Sequence, residues 1–141
     1  MLDVVIAREI AGAHRNSTPL CLAVIDVDDL KGVNDRLGHE TGDRVLAEAA
    51  RAWRDALRDS DMLVRFGGDE FVAVLPDCTP QTAERVLARA RAATAISCSA
   101  GVAWWREGDD VAAVLARADE QLYEVKRQRR DGTPIASVPS P

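Results

Sequence analysis

Apolar residues along the chain follow two kinds of spacing, and the switches between them divide it into elements. Leu2, Val5, Ile6 and Ile10 recur at helical intervals and predict an amphipathic helix over residues 2 to about 14. Asn16-Ser17-Thr18-Pro19 ends that pattern. Leu20 to Val27 is then continuously apolar and rich in residues that suit a pleated surface, which predicts a strand buried on both faces. It runs out into Asp26-Val27-Asp28-Asp29, so acids gather at its carboxyl end.

A short helical stretch begins at Leu30 and stops at Gly38. A longer helix is predicted from Gly42-Asp43 to about Arg58, with Val45, Leu46, Ala49, Trp53, Ala56 and Leu57 as its apolar face. Asp59-Ser60-Asp61 closes it. Met62 to Leu75 then reads as two short apolar runs around Gly67-Gly68, the pattern of a hairpin with positive φ at both central turn positions. Asp69 and Glu70 follow the glycines directly. Thr79 and Pro80 predict the N-cap and first residue of a further helix, whose core face is Ala83, Val86, Leu87 and Ala90. Ala95 to Trp105 is strand-like, and Gly108-Asp109 separates it from a last helix striped by Val111, Val114, Leu115, Ala118, Leu122 and Val125.

The resulting order is β-α-α-β-β-α-β with a leading and a trailing helix. It predicts an α+β fold in which helices cover a largely antiparallel sheet, and not a doubly wound parallel one. If the first strand neighbours the hairpin, Asp26, Asp69 and Glu70 meet at one end of that sheet. Such hard oxygen ligands suit Mg²⁺ together with substrate phosphates. From Asp131 the chain loses its core pattern, so one domain is expected over residues 1–131 and a flexible tail over 132–141. The first helix lacks a capping lead-in, which suggests a trimmed N-terminus.

Composition narrows the partners. The 141 residues are 47% hydrophobic and 29% charged, the balance of a globular domain. A net charge of -5 argues against a nucleic-acid duplex, which requires a basic face. Cys21, Cys78 and Cys98 are widely spaced and odd in number, so buried free thiols are expected, not a disulfide framework or a zinc site. No apolar run spans a bilayer and no signal pattern opens the chain, so it is expected to be cytoplasmic and to make no membrane contact.

Arg65-Phe66-Gly67-Gly68-Asp69-Glu70-Phe71 resembles the signature loop of the GGDEF family, the bacterial diguanylate cyclases. Four further blocks occur in the family's order. Asp26-Val27-Asp28-Asp29-Leu30-Lys31-Gly32-Val33-Asn34-Asp35 is similar to Asp-x-Asp-x-Phe-Lys-x-Ile-Asn-Asp, and Gly38-His39-Glu40-Thr41-Gly42-Asp43-Arg44-Val45-Leu46 to Gly-His-x-x-Gly-Asp-x-Leu-Leu. Ser97-Cys98-Ser99-Ala100-Gly101 is similar to Thr-x-Ser-x-Gly, and residues 118–126 to Ala-Asp-x-Ala-Leu-Tyr-x-Ala-Lys. The resemblance runs from about Pro19 to Arg130.

It implies a sheet like that of polymerase palms and nucleotidyl cyclases, and condensation of two GTP into cyclic di-GMP with release of pyrophosphate by a dimer of two such domains. Asp26, Asp69 and the Val27 carbonyl would hold Mg²⁺ or Mn²⁺. Glu70 would act as a further metal ligand or help deprotonate the attacking hydroxyl. Asn34 and Asp43 would read guanine beside Gly67 and Gly68, since an amide and a carboxylate complement its edge. Lys31, Lys126, Arg130 and the backbone amides of Asp29 and Leu30 would grip the triphosphate. Arg58 and Asp61, at the family's spacing from the glycines, would bind cyclic di-GMP as a product-inhibition site.

The resemblance also implies departures. The family's Asp-x-Leu-Thr-Gly-Leu-x-Asn-Arg turn before the first helix is absent, and Arg129-Arg130-Asp131 stands where Gly-Arg-Asn is usual. The link from Ala93 to Ile96 is short. A catalytically weak or inactive domain that senses GTP or cyclic di-GMP is the alternative.

Overall fold

The computed structural model describes residues 1–130; Asp131 and the expected tail, 132–141, lie outside the described residues. Nine elements follow in the order α1 (Leu2–Asn16), β1 (Leu20–Val27), α2 (Leu30–Leu37), α3 (His39–Ala56), β2 (Met62–Arg65), β3 (Glu70–Pro76), α4 (Pro80–Ala92), β4 (Cys98–Trp104) and α5 (Val111–Arg130). The strands form one antiparallel sheet in the order β2-β3-β1-β4. The fold is therefore α+β, as the sequence order predicts.

Alternation along the strands sorts the core into two layers. On β1, Cys21, Ala23, Ile25 and Val27 face a core shared with Leu46, Ala49 and Trp53 of α3 and Ala83, Val86 and Leu87 of α4. Leu20, Leu22 and Val24 face the opposite core, with Val5 and Ile6 of α1 and Val114, Ala118 and Leu122 of α5. Helices thus cover both faces, and β1 is buried throughout because it is central. Trp53 and Phe71 meet edge to face, ring centroids 5.2 Å apart, beneath the α3 side of the sheet. All three cysteines are buried free thiols.

One contact fixes where α5 lies. A Cβ on Gly101 of β4 would fall 2.9 Å from Leu122 Cα and closer still to the Ala118 carbonyl oxygen and the Leu122 nitrogen. Only a residue without a side chain lets the helix backbone come so near. From there α5 covers the free edge of β4: Gln121 accepts from the Val102 N–H, Arg117 donates to the Trp104 carbonyl at 2.7 Å, and Arg129 to the Cys98 carbonyl at 3.1 Å. Side chains thereby occupy backbone groups that would otherwise template another strand.

Four features differ from the sequence pattern: both ends of α3, the hairpin tip and the length of β4. α3 starts at His39, three residues before the expected Gly42, because Gly38 (φ 90°, ψ 160°) reorients the chain at once between α2 and α3. Its end is Ala56, whose carbonyl accepts from Arg89 of α4 at 2.7 Å. The tip between β2 and β3 is not a two-glycine turn. The Phe66 N–H donates to the Glu70 carbonyl at 2.9 Å, and only Gly67 (φ 87°) has positive φ, so residues 67–69 form a three-residue loop. β4 is shorter than the apolar run that announced it. Among the described residues no helix is long and apolar enough to cross a membrane.

Candidate active site

β1 and β3 pair with Asp26 opposite Glu70, and β1 and β4 with Asp26 opposite Ser99. The alternation that sends Leu20, Leu22 and Val24 toward α5 sends Asp26 there too, where the Lys126 ammonium of α5 meets its Oδ2. Asp26 is only 6% exposed. Its second oxygen, Oδ1, is buried without a hydrogen-bond partner. A buried carboxylate oxygen left unmade is costly, and it marks a place for a ligand that brings positive charge.

Charge around it is concentrated. Burial pushes the Asp26 carboxyl above its ordinary range; Lys126 pulls it down and Asp69 raises it again. Burial also raises Glu70, with Asp26, Asp119 and Asp69 adding repulsion against the pull of Lys126. Asp26, Asp69 and Glu70 are thus gathered at one end of the sheet. Asp69 is held by its own backbone, whose carbonyl accepts from the Val27 N–H at 3.2 Å.

Among the described residues no three His, Cys, Asp or Glu side chains stand close enough to hold a metal by themselves. Mg²⁺ does not require such a cage, since it is usually bound by one or two carboxylates plus substrate phosphates. The orphaned Asp26 Oδ1 and the neighbouring Asp69 fit that mode.

A cleft of about 500 Å³ opens beside the cluster, between α2, α3 and the hairpin tip. Lys31, Asn34, Asp43, Gly68 and Asp69 line it. The Asn34 side chain lies across Gly42, where a methyl group would overlap its Oδ1. Gly42 is thus what lets α3 pass beneath that amide. Asp29 and Leu30 begin α2, with Asp29 in the left-handed region (φ 56°) and its carboxylate near Arg36 at 3.3 Å. Gly67 lies on the same hairpin loop, and Arg130 is the last residue of α5.

Arg58 and Asp61 stand apart, at the other end of β3. The Arg58 guanidinium grips Asp61 through Nη2 at 2.7 Å and Nε at 3.1 Å, and donates to the Pro76 carbonyl at 2.7 Å. The Asp61 side chain is wholly covered. Pro76 lies six steps along β3 from Glu70, roughly 20 Å on a strand. The two groups therefore cannot share one ligand.

Sequence reasoning missed Asp28. Its carboxylate accepts from Ser97 Oγ at 2.6 Å, Ser99 Oγ at 2.8 Å and Arg129 Nη1 at 2.9 Å. The sequence holds part of the signal, since Ser97 and Ser99 stand two residues apart where β4 begins.

The diguanylate cyclase, GGDEF domain family model matches residues 1–132. The chain is 40% identical over 141 residues to the diguanylate cyclase DgcP of Pseudomonas aeruginosa, covering 92% of this chain and 21% of that protein. It is 41% identical over 143 residues to the diguanylate cyclase DosC of Escherichia coli, covering 92% of this chain and 31% of that one. The chain thus spans between a fifth and a third of these relatives' length. Among solved structures, the GGDEF domain of DgcB from Caulobacter crescentus in complex with cyclic di-GMP superposes with a TM-score of 0.84 at 30% identity, over 94% of this chain and 84% of that one. The active GGEEF domain of a diguanylate cyclase from Vibrio cholerae does so at 0.84 and 32%, over 90% and 88%. Motifs, sheet order and these matches agree: the chain belongs to the diguanylate cyclase GGDEF domain family.

Proposed function

We propose that this domain condenses two GTP molecules into cyclic di-GMP, releasing two pyrophosphates, as a pair of domains facing one another. The observation that carries the reading is the buried, unpartnered Asp26 Oδ1 beside Asp69 and Glu70, with Asp69 also lining the cleft that holds Asn34 and Asp43. Mg²⁺ or Mn²⁺ bound there, by Asp26, Asp69 and the Val27 carbonyl, would polarise the α-phosphate and favour the 3′-hydroxyl as nucleophile.

The residues divide the remaining work. Asn34 and Asp43 orient guanine, the carboxylate accepting from its N1–H and N2–H₂ and the amide donating to its purine acceptors. Lys31, Lys126, Arg130 and the amides of Asp29 and Leu30 hold the triphosphate, with Gly67 and Gly68 leaving the loop open to it. Glu70, raised by burial and by its acidic neighbours, accepts the proton of the attacking hydroxyl. Lys126 exchanges its Asp26 partner for phosphate oxygens when substrate arrives. One site holds one GTP, so bond formation needs the second domain. Arg58 and Asp61, which now bind each other, open to take cyclic di-GMP as inhibitor.

Equilibrium titration of the chain with GTP and with ATP in Mg²⁺ tests the base-reading half. GTP binds with clear preference, and Asn34→Ala or Asp43→Ala erases the preference without unfolding the chain. Equal binding of GTP and ATP by the parent chain would overturn the assignment of the cleft.

A further inference from the structure

Two ion pairs link α5 to the end of β1, and they are in step. Lys126 meets Asp26, and Arg129 meets Asp28. Residues three apart on a helix share a face, and Asp28 is the first residue beyond β1, two past Asp26, so the pairs form consecutive rungs from α5 to the end of that strand and the turn that follows it. The second rung is broader than the first. Arg129 Nη1 reaches Asp28 Oδ2 at 2.9 Å, Ser99 Oγ at 3.0 Å and the Cys98 carbonyl at 3.1 Å. Asp28 accepts in turn from both serines, and its own N–H donates to the Ser97 carbonyl at 2.9 Å. Ser99 is 1% exposed, so the network is anchored in the core at that end, while the Arg129 and Asp28 side chains remain partly open to solvent.

We infer that Arg129 is a positioning residue for the phosphate-binding turn. The inference rests on the proposed GTP reading and deepens it. Asp28 lies between Val27, whose carbonyl the proposed function assigns to the metal, and the Asp29 and Leu30 amides. Fixing Asp28 on both its backbone and its carboxylate fixes those neighbours. The Lys126 rung cannot do this during binding, because Lys126 releases Asp26 when phosphate and metal compete for it. Arg129 is engaged by Asp28, Ser99 and the Cys98 carbonyl and is not among the groups assigned to the triphosphate, so its rung persists through that exchange and keeps α5 in register with β1. Lys126 then swings from a helix that stays in place.

The test uses the whole chain, with Arg129→Ala, Arg129→Lys, Asp28→Asn and the Arg129→Ala/Asp28→Asn double variant. Each is titrated with GTP in Mg²⁺ and assayed for initial rate, with thermal melting as a fold check. Arg129→Ala weakens GTP affinity about tenfold, the scale of one charge-assisted contact network. Arg129→Lys, whose ammonium carries enough donors for the same acceptors, stays within about threefold of the parent. The double variant is no worse than the weaker single, because both act through one rung. The inference is overturned if Arg129→Ala binds GTP like the parent, if its loss tracks only the fall in melting temperature, or if the two substitutions add. If Arg129→Ala fails to fold, the Asp28→Asn affinity decides in the same way: a loss of about tenfold supports the inference and parent-like binding overturns it. A parent chain that binds no GTP refutes the proposed function, and this inference with it; a parent that binds GTP while Arg129→Ala and Asp28→Asn match it refutes this inference alone.

Discussion

Two glycines separate stability from substrate reading, and replacing each with alanine makes the separation measurable. At Gly101 the added methyl meets the backbone of α5: Leu122 Cα lies 2.9 Å away, and the Ala118 oxygen and Leu122 nitrogen lie nearer. Backbone cannot rotate aside, so α5 must lift. Overpacking of this kind costs about 1–3 kcal/mol. At Gly42 the methyl meets only the Asn34 side chain, which can rotate out. Gly42 is the fourth residue of α3 and has ordinary helical backbone, so alanine there even gains up to about 1 kcal/mol of helix propensity. The cost appears instead in the cleft, where Asn34 loses its place against guanine. One neutral hydrogen bond is worth roughly three- to tenfold in affinity.

Urea denaturation and GTP titration of both variants read the two effects separately. Gly101→Ala lowers the midpoint at unchanged slope. Gly42→Ala keeps or raises the midpoint and weakens GTP while leaving ATP binding as it was. If Gly42→Ala loses as much stability as Gly101→Ala, or binds GTP like the parent, then Gly42 does not serve to seat Asn34.

Arg58→Ala removes product inhibition by cyclic di-GMP while leaving initial turnover in place, as progress curves with added product will show. It also costs about 1–3 kcal/mol, because the covered Asp61 carboxylate loses its guanidinium partner. Unchanged inhibition refutes the assignment. The Arg117 hydrogen bond, then the Arg106 N–H, hold the Asp109 carboxyl below its ordinary value of 3.8. The folded protein thus keeps this charge to lower pH than the unfolded chain, so the contribution is whole above 3.8 and fades as pH falls through the lower, folded value. Asp109→Asn therefore costs about 1–2 kcal/mol at neutral pH and less in acid. A cost that is the same at both pH values contradicts the pairing.

Periodicity made the element order legible, because a short, β-prone apolar run such as Leu20 to Ile25 suits a central strand and the α5 stripe suits a helix. The acids at the end of β1 and at the hairpin tip were legible for the same reason: antiparallel pairing of those strands brings Asp26 opposite Glu70. The finer geometry was not. The early start of α3 depends on the dihedrals of Gly38, which composition does not reveal. That Arg58 and Asp61 grip each other, and that Arg129 reaches Asp28 across 101 positions, depends on where long side chains end. Gly101 read as a motif residue, while its physical role comes from a helix backbone arriving some twenty residues later.

The central claim is a reaction, and the direct measurement is to incubate the chain with GTP and Mg²⁺ over a range of protein concentrations and separate the nucleotides by chromatography. The account predicts cyclic di-GMP and pyrophosphate, forming more than linearly with protein because two domains must meet, and no product from Asp69→Ala. GTP that binds yet yields no cyclic di-GMP at any concentration contradicts it.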